Sequence, residues 1–259
     1  MNYLPSALKN FAEIETRISK KPLLLGLDFD GVLAPIVRIV PNAAAGRPIQ
    51  KILRSLTRRK GIRVAIVTGR RLAQIKNKVP IKGLAYSGNH GLEIEDARFQ
   101  YLHPKARRAQ KFIPDLANAL ESAIAPFQHA EVERKDISLS VHFRRCTQRT
   151  ANAGLRAALG LVKRSRKPIR SHVGYRVLEV QPDVAWDKGN AFNLLHKRIG
   201  GTPVFLGDEF GDEAAFKTAD RRGGFGIRVS PSGKTNARYQ IPSQRGVLRF
   251  LERIDALYR

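Results

Sequence analysis

Three short apolar runs punctuate the chain, and each stops at residue types that can do chemistry. Leu23 to Leu27 (LLLGL) runs into Asp28, Val64 to Val67 (VAIV) into Thr68, Gly69 and Arg70, and Val204 to Leu206 (VFL) into Gly207 and Asp208. Continuous apolar runs of this length predict parallel strands buried on both faces. Between the runs the period changes. Ile49, Ile52, Leu53 and Leu56 recur at i, i+3, i+4 and i+7, with Pro48 placed near a helix start. Ala191, Leu194 and Leu195 make a second helical face, which Asp187 can cap and Gly200 with Gly201 can end. The β-α-β alternation predicts a doubly wound sheet, whose ligands bind at the carboxyl ends of its strands. All three reactive clusters gather at that end.

The middle of the chain has a different rhythm. Apolar and polar residues alternate strictly through ISLSVHFR, Ile137 to Arg144, which predicts a strand with one packed and one open face. Leu155, Ala158, Leu159 and Val162 then predict an amphipathic helix, and YRVLEV, Tyr175 to Val180, another strand. Residues 101–183 therefore read as a smaller α/β cap domain inserted over the strand ends. The fold class is α/β, a doubly wound parallel-sheet, Rossmann-like hydrolase core over residues 1–100 and 184–259 with that inserted cap. Leu4, Leu8, Phe11 and Ile18 predict a helix at the start, and Val247, Leu251, Ile254 and Tyr258 a closing helix.

Composition narrows the class. The chain has 259 residues, 42% of them hydrophobic, enough for a buried core. No apolar run approaches the ~18 residues of a membrane span, and the start lacks the pattern of a secretory signal. The single Cys146 excludes an internal disulfide and a thiolate-rich zinc site, and points to a reducing, cytoplasmic setting. The net charge of +25 is unusual. Its clusters, Lys105 to Lys111 and Lys163 to Arg170, contain no aromatic side chain to stack on bases, so they read as a solvated surface that attracts anions. A basic nucleic-acid-binding protein on the same fold is the rival reading; no specific nucleic acid, no membrane and a monomer are expected.

The acids decide between a turn and a catalyst. Asp-x-Asp-Gly alone describes an ordinary turn. Here DFDG from Asp28 occurs with Thr68, with Lys188, and with GDEFGDE, Gly207 to Glu213, each at a predicted strand end or helix start. Rival phosphate motifs fail: SGKT, Ser232 to Thr235, has Arg228 where a P-loop needs Gly. The four pieces, in this order, resemble the haloacid dehalogenase-like phosphatases. Closer still, DFDGVLAPI (Asp28 to Ile36), GNHGLE (Gly88 to Glu93), ERK (Glu133 to Lys135), HFR (His142 to Arg144), EVQP (Glu179 to Pro182) and WDKG (Trp186 to Gly189) resemble the trehalose-6-phosphate phosphatases over nearly the whole chain.

That resemblance implies a Mg²⁺-dependent phosphatase acting on trehalose 6-phosphate. Asp28 would attack phosphorus and become an aspartyl-phosphate. Asp30 would protonate the leaving oxygen and then activate water. Thr68 and Lys188 would hold phosphate oxygens. Asp28 and Asp208 would ligate the metal by side chain, Asp30 by its carbonyl, and Asp212 directly or through water. Glu133, Lys135, Arg144 and Glu179 would contact the sugar, with Lys135 or Arg144 reaching toward the phosphate. His90 would line the site or satisfy a turn. Four positions depart from the family pattern: Val32 for a frequent Thr, Glu209 for Asp, Gly211 for Thr or Ser, and Gln181 for a basic residue. A phosphatase for another sugar phosphate, such as glucosylglycerol phosphate or sucrose phosphate, would use the same core with other cap contacts.

Overall fold

The computed structural model describes residues 4–19, 22–37, 42–230 and 233–259; Ser232 of SGKT lies outside them. The chain divides into two compact units. One comprises Met1–Tyr101 and Trp186–Arg259, the other Leu102–Ala185.

The larger unit is built on the predicted apolar runs. LLLGL forms β1 (Leu23–Leu27), buried at every position; VAIV lies in β2 (Ile62–Val67) and VFL in β10 (Thr202–Gly207). β1 pairs in parallel with both, Leu25 opposite Val204 on one side and Val64 on the other. β11 (Phe225–Val229) and β12 (Tyr239–Ile241) extend the sheet beyond β10, and β3 (Ala85–Gly88) extends it beyond β2, all in parallel. β4 (Glu93–Asp96) turns back antiparallel on β3, and β5 (Phe99–Leu102) lies at that edge. Among the described residues the order is β12-β11-β10-β1-β2-β3-β4-β5.

Alternate strand residues feed two cores, one on each face. Leu25, Leu27, Val64, Ile66 and Leu206 pack with α2 (Arg47–Leu56) and α9 (Gln244–Leu257). Leu24, Ala65, Val67 and Phe205 pack with α7 (Lys188–Ile199) and α8 (Glu213–Arg221). Pro48 stands in the first turn of α2 as expected. Asp187 caps α7 through the backbone N–H of Asn190, whose side chain answers to the Asp187 N–H, and Gly200 ends that helix. The start of the chain differs from expectation. Helix α1 covers only Phe11–Ile18, because Ser6 bridges Gln240 and Pro5 O accepts from Gln240 N, so residues 4–6 follow the sheet edge and Leu8 lies in the turn that leads into the helix. α3 (Leu72–Lys78) leads from β2 to β3.

The smaller unit has its own core. α4 (Pro104–Ala109) and α5 (Ile113–Ile124) come first, then β6 (Glu131–Arg134), β7 (Leu139–His142), α6 (Gln148–Arg164), β8 (Ile169–Gly174) and β9 (Val177–Pro182). The strands make an antiparallel sheet in the order β6-β7-β9-β8. Leu139, Val141, Leu178 and Val180 face α5 and α6, meeting Leu116, Leu120, Ala158 and Val162. Two expected strands are shorter. β7 stops at His142, since Phe143 O accepts from Cys146 N in a turn that takes in Arg144. Tyr175 lies in the β8–β9 turn, 81% exposed, beside Arg176 at φ 53°.

Candidate active site

β1, β2 and β10 each deliver their next residue to the carboxyl edge of the large sheet. Asp28 follows β1, its N–H still bonded to Leu206 O and its Oδ1 accepting from Phe29 N at 2.8 Å. Thr68 follows β2 and is buried, its N–H on Ser87 O. Asp208 follows β10. Asp212 closes the GDEFGD turn, its Oδ2 accepting from the backbone N–H groups of Asp208 (3.0 Å) and Glu209 (3.1 Å). Lys188, the first residue of α7, is 1% exposed and reaches three carboxylates: Asp212 at 2.8 Å, Glu209 at 3.0 Å and Asp28 at 3.1 Å. One carboxylate oxygen from each of Asp28, Asp208 and Asp212 falls within 4.8 Å of the others.

The cluster is electrostatically tense. Burial pushes the Asp28 carboxyl well above its ordinary range; Lys188 opposes the shift, while Asp212, Glu209 and Asp208 add to it. Burial likewise raises Asp212, and it raises Asp208 to about 7 with help from Asp212 and Glu209. Glu209 goes the other way, held at about 2 chiefly by Lys188. For Lys188, burial disfavours the ammonium, but Asp212, Asp28 and Glu209 outweigh it and hold the group well above its usual value. More carboxylates than ammonium groups thus converge on one point, a donor set of hard oxygens that a divalent cation satisfies. The backbone leaves room for them: a Cβ on Gly31 would sit 2.0 Å from Asp208 Oδ2.

Asp30 stands apart from the cluster by side chain. Its two oxygens accept from Arg70 Nε and Nη2, both at 2.7 Å, and Arg70 itself is buried with its guanidinium 5.2 Å from the Phe29 ring centroid. His90, at φ 56°, packs on the Thr68–Gly69–Arg70 turn; its N–H bonds Thr68 O, and a Cβ on Gly69 would lie 2.5 Å from its Cε1. Two further groups belong to the site and carry no motif. Arg228, on β11, donates to Glu209 O at 2.7 Å and to Glu213 at 3.2 Å. Its place follows from register, which sets it opposite Gly207. Arg70 has a weak signal, a cation two residues past Thr68 at a strand end; its partner Asp30 is on another strand's loop.

In the smaller unit, the sheet face away from the helices is polar. Glu133, Ser140, Glu179 and His172 stand directly opposite one another across β6, β7, β9 and β8. Ser140 Oγ donates to Glu179 Oε2 at 2.7 Å, Lys135 Nζ reaches the same oxygen at 3.3 Å, and His142 Nε2 meets Glu133 Oε2 at 2.9 Å. Lys135 lies one residue past β6 yet is buried against this face. Arg144 is half-buried, two residues past β7.

The family model described as trehalose-phosphatase matches residues 26–244. Trehalose-phosphate phosphatase B of Arabidopsis thaliana is 34% identical over 96% of this chain and 71% of its own length. Probable trehalose-phosphate phosphatase 4 of Oryza sativa subsp. japonica is 32% identical over 96% and 70%. Among solved structures, the C-terminal domain of C. albicans trehalose-6-phosphate phosphatase shares the fold with a TM-score of 0.82, covering 99% of each chain at 20% identity.

Proposed function

The chain belongs to the trehalose-phosphatase family and is a phosphatase, and we propose that it hydrolyses trehalose 6-phosphate to trehalose and phosphate with Mg²⁺, through an aspartyl-phosphate at Asp28. The observation that carries this reading is the convergence of Asp28, Asp208 and Asp212, with Asp28 and Asp212 holding the buried Lys188 ammonium. The all-oxygen donor set, with its burial-raised acids and the space kept by Gly31, suits a hard divalent cation. Asp28 and Asp208 would hold it by side chain, Asp30 by its carbonyl, and Asp212 directly or through water. When bound, the ion neutralises the acids and polarises the phosphate.

The protein's own groups divide the chemistry. Asp28, held by the Phe29 N–H and the Lys188 ammonium, attacks phosphorus. The bond from phosphorus to the sugar oxygen breaks, and that oxygen takes a proton from Asp30. Asp30 then takes a proton from water, whose oxygen attacks phosphorus and releases phosphate and free Asp28. Arg70 aims the Asp30 carboxylate and gives up one of its two bonds when Asp30 carries the proton. Thr68 and Lys188 hold phosphate oxygens, and His90 walls the Thr68 turn. Glu133, Lys135, Arg144 and Glu179 of the smaller unit, acting as a cap, read the sugar hydroxyls as strong acceptors and donors.

The test is phosphate release from trehalose 6-phosphate, sucrose 6-phosphate, glucosylglycerol phosphate and glucose 6-phosphate with Mg²⁺. Preference for trehalose 6-phosphate, lost in excess chelator and restored by Mg²⁺, is the expected result. Preference for another sugar phosphate would keep Asp28 and its partners and reassign the cap; undiminished turnover in chelator would remove the metal.

A further inference from the structure

Ser140 is a polar residue with no solvent contact and no place in the reaction. It is 0% exposed, at the centre of β7, on the polar face of the smaller unit's sheet. Register sets it between two carboxylates, Glu133 on β6 and Glu179 on β9. Strands two apart in a sheet are about 9–10 Å from axis to axis, so those acids flank the serine on either side. A buried hydroxyl is retained only where it is hydrogen-bonded. The Ser140 hydroxyl donates to Glu179 Oε2 at 2.7 Å, and Lys135 Nζ joins the same oxygen at 3.3 Å. Glu179 itself is half-buried.

We propose that Ser140 is a positioning residue for substrate specificity. Its hydroxyl fixes the Glu179 carboxylate in the orientation that receives sugar hydroxyls. The inference rests on the reading that Glu179 contacts the sugar, and adds how that contact is set. A glutamate side chain has three rotatable bonds, and its terminal torsion is broad. Two donors on one oxygen remove that freedom before substrate arrives, so binding does not bear the ordering cost. Lys135 constrains the torsion less than Ser140 does, because a long ammonium follows the carboxylate, whereas a serine on a central strand cannot.

Ser140→Ala removes the hydroxyl and nothing else of size. The expected result is a KM for trehalose 6-phosphate raised about tenfold to a hundredfold, the worth of one hydrogen bond to a charged group. kcat should change less than about twofold, and p-nitrophenyl phosphate, which has no sugar, should be turned over as before. Ser140→Thr keeps the hydroxyl on a strand-favouring residue and should hold KM within about threefold of the parent. In a Glu179→Ala background, Ser140→Ala should add nothing, since the carboxylate it holds is gone. Glu179→Ala raising KM while Ser140→Ala leaves it unchanged would overturn this inference alone. Neither change affecting KM would overturn the sugar-reading role of Glu179 and this inference with it. Equal losses on both substrates, or an undiminished Ser140→Ala effect in the Glu179→Ala background, would make Ser140 a structural residue and reject the proposal.

Discussion

Single residues in this protein carry two demands at once, and Gly31 shows it best. Its φ of 76° lies in the left-handed region, and any Cβ there would collide with Asp208 Oδ2. Gly31→Ala is therefore expected to cut Mg²⁺-supported phosphate release by about a hundredfold or more, because a misplaced carboxylate misplaces the reacting phosphate. Titrating activity against Mg²⁺ checks it; parent-like kcat and Mg²⁺ dependence would show that the loop adapts. Asp28→Asn removes the proposed nucleophile and should leave no measurable turnover with the fold intact by circular dichroism. The acids were legible in the sequence, because DFDG and GDEFGD are contiguous and end apolar runs. Arg70 and Arg228 were not assigned, for a physical reason. The bond from Arg70 to Asp30 joins loops of neighbouring strands, and the position of Arg228 beside Glu209 depends on β10–β11 register. Neither pairing leaves a mark within a short window of sequence.

Elements matter here through how they end. α7 begins with Lys188, and the Asp187–Asn190 capping box fixes that first turn. Asp187→Ala should cost about 1 kcal/mol of stability by urea denaturation and also lower kcat, since the turn that frays holds Lys188. A stability loss without any change in kcat would separate the cap from the chemistry. α9 is tied across to the segment after α2 by Arg59, which donates Nε and Nη2 to the two Asp255 oxygens at 2.9 Å each. Those bonds hold the Asp255 carboxyl below its ordinary range. A depressed carboxylate stabilises the fold above its unfolded pKa of about 3.9 and loses that contribution as pH falls through the folded value. Asp255→Asn should thus destabilise by about 1–3 kcal/mol at pH 7, with the difference from the parent shrinking below about pH 4. Thermal melts at both pH values decide it. Element ends were also where sequence reading slipped. Tyr175 and Arg176 have strand-compatible side chains, but Arg176 takes a positive φ and both fall in the turn. The helical spacing from Leu4 to Leu8 loses to pairing with Gln240, a partner at the far end of the chain.

At the scale of the whole molecule, charge and connectivity govern behaviour. No helix among the described residues is long and apolar enough to cross a membrane. The chain carries a net charge of +25, and its proposed substrate bears a phosphate dianion. The field of so many cations raises the encounter rate of an anion and is screened by salt. kcat/KM for trehalose 6-phosphate is expected to fall several-fold between about 0.02 and 0.3 M KCl, with kcat nearly constant. A flat salt profile would show that the surface charge plays no part in capture. The division into a sheet core and an inserted smaller unit was readable because the hydrophobic rhythm changes from continuous runs to strict alternation. The pairing of β1 with β10 has a consequence in time. As the chain emerges during synthesis, Asp28 precedes its partners, and Leu23 finds Thr202 only after the entire smaller unit has been made. Until then the central strand has an open edge, and Asp28 is without Lys188, Asp208 and Asp212. On the proposed reading, catalysis waits until the segment from Lys188 to Asp212 arrives to close the sheet.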